Sequence, residues 1–458
     1  MGALKLYYRS LDLDQIQPET WLSIGNIHYY NKDKPQALSA YEKAKDLRPD
    51  HARTYNNIGT IYKDDRNYPE ALSNYKLAFK YDSDYALACR NIGDVYLKDG
   101  KNLEAIDWLY KATGLDPDNL YGWYWLGRAY YRSGKVNESI GHFLRVLSRK
   151  PDLPQVHHDL GKAYFSLRRY SKAIEHVKQA MVRNPSIPQY YVTLSQIYNN
   201  LHQETRSLAV LDTALTWNRS EPVVWIAKGD IHKQSDRMQE ALRCYNMAVS
   251  FRPDYWRGHY KKGVALYYLS QLEEAKKELE EALALKNEDE GSNHFIGMVY
   301  LAQNEPGIAY DYLIKASVLD SVNADIWFHL GQACKRLENW SDSEKYLQRS
   351  TQLDERNKEA FYSLGQVYQK INEPDKSRHY LASFKKLSDF ELERDALLTE
   401  IRVRPGELHL YRKLATLYGD HGYVADAAEV WKKSAYLGDE EAIEELTKLK
   451  SILEQDQK

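Results

Sequence analysis

The chain has only 3 cysteines in 458 residues. Cys89, Cys244 and Cys334 stand far apart and odd in number, which argues against a disulfide framework. Each falls at a helix position of apolar character, so they read as buried thiols. That favours a reducing, cytoplasmic compartment. A periplasmic setting stays open, because an upstream leader could have been removed. An excess of one charge is also missing. Lys and Arg number 63 against 65 Asp and Glu, a net charge of −2. No basic field is there to attract nucleic acid. No apolar run approaches the roughly 20 residues that span a bilayer. Absent too are a Gly-rich phosphate loop, CxxC, HExxH and a nucleophile elbow. His157 and His158 are adjacent, so on a helix they point about 100° apart and cannot share a metal as an i, i+4 pair can. Glu273-Glu274 and Glu280-Glu281 read as solvated faces. No enzyme activity, cofactor or metal is expected.

What the chain does have is a period. Glycine recurs every 34 residues at Gly25, Gly59, Gly93, Gly127 and Gly161; after one miss at Ser195 it resumes from Gly229 to Gly365. A period of this size means stacked supersecondary units, not one globular core. Other places keep the register. Four residues before the glycine stand Trp21, Tyr55, Trp123, Tyr191, Trp225 and Trp327. Three after it stand tyrosines such as Tyr62, Tyr130 and Tyr198. Twelve after it only Ala or Ser occurs, sixteen after it an apolar residue such as Tyr41 or Leu279, and twenty-four after it often Pro. Places −4, −1, 0 and +3 share one face of a first helix, and +12, +16 and +19 one face of a second. Gly and Ala at the crossing let two backbones approach. The proline opens the turn into the next unit.

Segments such as TYNNIGTIYKDDRNYPEALSNYKLAFKYDS and VVWIAKGDIHKQSDRMQEALRCYNMAVSFRPD carry this pattern, which resembles the tetratricopeptide repeat (TPR) family. The resemblance implies an all-α fold, an α-solenoid of stacked helix-turn-helix units forming a right-handed superhelix. It specifies fold and says little about function. Eleven contiguous repeats are expected over residues 18–391. Residues 3–17 match the second helix of a truncated repeat, and Met1-Gly2 looks like an expression scar. The uncovered edge at 3–13 is expected to associate with another molecule. A helical insertion, 392–407, precedes a twelfth repeat at 408–441 and a capping helix at 442–458. One long helix should run from Asp375 to Val403, with Phe384 where the close-packing alanine belongs. The twelfth repeat is expected to turn away and present Tyr411, Tyr418 and Trp431 as a separate surface.

In the resembled family the first helices line a concave groove, through the places six, three and two before the glycine and one, four and five after it. Repeats two and three carry Asn57 and Asn91 at the −2 place. Successive asparagines there resemble the asparagine ladder of the family's sugar-transferase arm, where amides hold a peptide backbone. Repeat four adds Tyr121, Tyr124, Trp125, Arg128, Tyr131 and Arg132, residue types that dominate binding hot spots. Basic groove places in repeats two to five are Arg53, Lys63, Arg90, Lys98, Arg128, Arg132 and Lys162, against Asp64, Asp94 and Asp159. The surplus favours an acidic protein or peptide segment. The candidate site is therefore Asn57, Arg90, Asn91, Tyr121, Tyr124, Trp125, Arg128, Arg132 and Lys162. The plainer reading of each is a packed aromatic or a solvated charge. The two-carboxylate clamp of chaperone-binding TPRs lacks its Lys here. A non-catalytic scaffold is the leading reading. The alternatives are the substrate-recruiting arm of an enzyme and a cell-envelope or motility-apparatus assembly protein.

Overall fold

A computed structural model describes residues 2–14 and 16–455. Met1 of the suspected scar and residues 456–458 of the expected cap lie outside the described residues. Within them the chain forms 26 helices and no strand. Contacts divide it into two units, Met1–Asp236 and Arg237–Lys458. In each unit, the two helices of a repeat pack as a pair and each pair packs on the next in sequence. First helices such as Ala52–Asp64 have 13 residues and second helices such as Tyr68–Tyr81 have 14. No helix among the described residues is long and apolar enough to cross a membrane.

The periodic places now have physical causes. At the glycine, the +16 residue of the second helix occupies the space a Cβ would need. A Cβ on Gly127 would meet Phe143 Cε1 at 2.8 Å. The +12 residue must be small for the same crossing, and at three of its serines, Ser207, Ser343 and Ser377, the hydroxyl also bonds across it. Ser343 Oγ donates to the Gly331 carbonyl at 2.8 Å, and Ser377 Oγ to the Gly365 carbonyl at 2.8 Å.

The −4 residue is more than bulk. Tyr55 donates its hydroxyl to the Pro49 carbonyl at 2.8 Å, Trp123 its indole N–H to Pro117 at 2.9 Å, and Tyr191 its hydroxyl to Pro185 at 2.9 Å. Trp225, Trp327 and Tyr411 do the same to Arg219, Ser321 and Pro405. Each bond staples the turn between repeats to the helix that follows, satisfying a carbonyl of the turn itself. Within a repeat, the turn puts the +7 residue at positive φ every time. Lys32, Arg66, Gly100 and Gly134 open the series, and Glu338, Asn372 and Gly422 close it.

In the second unit one helix of 30 residues runs Pro374–Val403. After Pro374 at its first position, no glycine or proline follows until Pro405, so nothing stops it. Its distal half buries Phe390, Leu397 and Ile401 against Leu410, Leu414 and Leu417 of the next helix, Leu408–Asp420. Phe384 is half-buried and meets the Tyr362 ring at 5.0 Å. The last repeat does not offer the surface expected of it. Tyr411 and Trp431 are buried, 2% and 6% exposed. Tyr411 packs on the long helix, and Trp431 lies under Ala442 and Leu446 of the final helix, Glu440–Gln455. That helix is anchored by Asp439, which accepts from Arg412 Nε at 2.9 Å and Nη2 at 2.6 Å.

Candidate functional site

Groove-facing side chains of neighbouring first helices are bonded to one another. The partners sit 31 or 35 residues apart, three residues short of the 34-residue repeat or one residue beyond it. Asn57 Nδ2 donates to Asn26 Oδ1 at 2.8 Å, and Asn91 Nδ2 to Asn56 Oδ1 at 2.8 Å. Asn56 Nδ2 reaches Asn57 Oδ1 at 3.4 Å. Four amides thus form one line across the first helices of repeats one to three. Asn91 is buried in it and Asn57 half-buried.

The basic residues are likewise tethered. Lys63 and Lys98 lie 3.2 and 3.4 Å from Asp94. Arg128 Nε and Lys162 Nζ lie 3.7 and 3.9 Å from Asp159, which also accepts the Tyr124 hydroxyl at 2.9 Å. Burial, and then the Asp159 charge, push the Tyr124 phenol well above its usual pKa, so it stays a donor. The Arg128 guanidinium lies over the Trp125 ring, 4.6 Å from its centroid. Trp125 rests its other contacts on the core around Leu97 and Ala129. Tyr121 is 63% exposed, beside a small cleft with Leu120, Tyr124 and Leu153. The structure therefore brings Tyr121, Tyr124, Trp125, Arg128 and Lys162 together. Arg132 is turned to the backbone, its Nη1 donating to the Leu97 carbonyl at 2.7 Å. Arg90 is half-buried and has no ion pair among the described residues.

His157 and His158 do not converge. His157 Nε2 takes the staple role, 2.8 Å from the Pro151 carbonyl, and its Nδ1 is 3.1 Å from His176 Nδ1. His158 Nε2 bonds Thr193 Oγ1 at 2.8 Å. The Cys89 thiol is pushed up to about 11 and that of Cys334 to about 12, chiefly by burial. Both are poor nucleophiles.

Family models match along both units. A model described as TPR repeat covers residues 93–134 and 127–168. Models described as tetratricopeptide repeat cover 51–80, then 18–51, 154–186, 223–255 and 257–289. The chain is a tetratricopeptide repeat protein. Among solved structures, one similar chain is a tetratricopeptide repeat protein from Parabacteroides merdae, 18% identical, covering 54% of this chain and 98% of that one, TM-score 0.43. Another is YrrB, a TPR protein with an unusual peptide-binding site, 19% identical, covering 42% and 98%, TM-score 0.36. Yeast Tom70 is 13% identical, covering 94% and 99%, TM-score 0.43. No curated protein sequence matches the chain.

This TPR protein has a second groove feature that sequence reasoning passed over. In the second unit, the first helices of repeats eight to eleven line a cleft of about 640 Å³ with Tyr260, Phe295, Phe328, His294 and His329 in its walls. The signal was present at the −6 place. Repeats ten and eleven carry Asp325 and Glu359 there, where repeats two and four carry Arg53 and Tyr121.

Proposed function

We propose that this protein is a non-catalytic interaction scaffold whose groove in repeats two to five holds an extended, acidic segment of a protein partner. The Asp159 cluster carries the reading. One carboxylate there holds two cations, Arg128 and Lys162, beside Tyr124 and Trp125. The cluster keeps a net positive charge and is already ordered, so a ligand carboxylate meets little reorganisation cost. Asn26 and Asn57, the half-buried members of the amide line, suit a peptide backbone, since an amide offers both a donor and an acceptor, while the buried Asn56 and Asn91 hold them in place. The Tyr121 cleft suits an apolar side chain.

The test is fluorescence anisotropy with a labelled decapeptide alternating Glu and Ala, against its Gln counterpart. The Glu peptide should bind more tightly at low salt. Trp125→Ala should remove about 2 kcal/mol of binding, the scale of an aromatic hot spot. Because Trp125 also leans on the core, its melting curve is recorded alongside. Arg128→Ala should matter mainly at low salt, as screening acts beyond about 10 Å at 0.1 M. Equal binding of the Glu and Gln peptides would move the functional surface elsewhere.

A further inference from the structure

The cleft of the second unit has the opposite character. Its helices are Trp256–Tyr268, Glu290–Ala302, Ala324–Arg336 and Lys358–Lys370. Phe295 stands in the wall with Tyr260, Tyr267 and Tyr268 around it, ring centroids 5.9 to 6.2 Å away and steeply inclined. Glu290, Asp320, Asp325, Asp354 and Glu359 line the same cleft. Among the described residues the one cation in the lining, Arg356, is engaged elsewhere. Its Nη2 is 2.6 Å from Asp426, and its guanidinium lies over the Tyr423 ring at 3.8 Å.

Carboxylates at these places have an ordinary explanation. Glu290, Asp325 and Glu359 sit in the first turns of their helices, where negative charge complements the helix dipole. The histidine pair below them does not share that explanation. His329 Nδ1 is 2.7 Å from the Asp325 carbonyl, which can only accept, so Nδ1 carries the proton. His294 Nε2, 3.0 Å from the same nitrogen, then acts as an acceptor, and its own proton sits on Nδ1. His294 is 8% exposed. This leaves the His294 Nδ1–H donor and the His329 Nε2 acceptor without a further hydrogen-bond partner among the described residues. Neither nitrogen is sealed in the core, since both rings line the cleft, so this donor and this acceptor meet solvent there and are open to a ligand that enters it. Burial also keeps both rings neutral, so they do not balance the carboxylates.

We infer that this cleft binds a basic protein segment in extended form, with a backbone amide on the His294–His329 pair and Lys or Arg side chains between the aromatic rings and the carboxylates. One unmet donor and one unmet acceptor on adjacent helices match the N–H and C=O that an extended chain offers. A cation on an aromatic face gains from the ring quadrupole, and the carboxylates, of which Glu290 has Lys286 at 4.0 Å, exclude an acidic competitor. This site is independent of the groove proposed in repeats two to five.

The experiment uses the whole chain and a labelled dodecapeptide alternating Lys and Ala, with Gln and Glu counterparts. The Lys peptide should bind at low salt and the Glu peptide should not bind here. Asp325→Asn combined with Glu359→Gln should weaken the Lys peptide about tenfold or more. Arg128→Ala with Lys162→Ala should leave it unchanged, which separates this site from the first. In the unmutated protein, the ring-nitrogen resonances of His294 and His329 should shift on adding the peptide. That readout holds even where a variant melts early. Binding of Lys and Gln peptides alike, or unmoved histidine resonances, would overturn the inference.

Discussion

Four places before the repeat glycine, one side chain does two jobs. Its ring fills the space beside the helix pair, and the N–H or O–H at its tip closes the turn carbonyl six residues back. Trp, Tyr and His all serve, as Trp123, Tyr191 and His157 show. Tyr191→Phe keeps the ring, which is 3% exposed, and deletes the hydroxyl that the Pro185 carbonyl accepts from. It should cost about 1 kcal/mol, the net value of one such bond, read as a lower urea midpoint with unchanged slope. No change would mean that water replaces the hydroxyl. Both halves of this device were legible in the sequence, the planar residue at −4 and the proline at +24. The bond between them was not, because residue type does not say where a backbone carbonyl points. The same gap hid the amide line. Asn57 and Asn91 were found by register, but their partners Asn26 and Asn56 appear only when spacings of 31 and 35 are searched for.

Each helix pair is set by what its turn and its crossing tolerate. At the +7 place the backbone is left-handed in every repeat, which costs a side-chain-bearing residue roughly 1–2 kcal/mol. Glu338 has φ 56° there, and Gly134 holds the equivalent place with φ 82°. A Cβ on Gly134 would meet nothing within 4 Å, so backbone strain is isolated from packing. Glu338→Gly should therefore stabilise by about 0.5–1 kcal/mol after the entropy that glycine adds to the unfolded chain, and Gly134→Ala should destabilise by a similar amount. Matched urea titrations check both; the same sign for the two would refute the argument. The helices themselves were legible because the crossing constrains residue size so tightly. The period survives at Ser195, which is buried and whose carbonyl accepts from Ser207 Oγ at 2.7 Å. The fate of the last repeat was not legible. A long helix suggests departure, but the apolar places on its distal half, Phe390, Leu397 and Ile401, form a new packing face that covers Tyr411. Sequence register shows that such a face exists and not which side of the next helix it receives.

At the scale of the whole chain, a net charge of −2 conceals two grooves of opposite sign. Composition averages them away, and the acidic one is marked in the sequence only by carboxylates such as Asp325 and Glu359 at the −6 place. A second property is spread just as widely. His51, His142, His157, His158, His176, His294 and His329 all have pKa values lowered, in each case first by burial. His158 is pushed down to about 4 and His294 to about 3. The unfolded chain therefore binds more protons than the folded one once the pH drops below the ordinary histidine value of about 6.5. Stability must fall as pH falls through that point, and it keeps falling until the folded-state values are reached. At pH 5, His158 and His294 should each have cost about 2 kcal/mol, while most carboxylates are still ionised. The folded protein should thus lose melting temperature steadily between pH 6.5 and 5, before acid denaturation through carboxylates begins. His294→Gln and His158→Gln should each flatten that slope, whatever they do to stability at pH 7.5. A melting temperature constant from pH 7.5 to 5 would show that these rings reach solvent, and with it the packing that places His294 and His329 in the wall of the acidic cleft would be wrong.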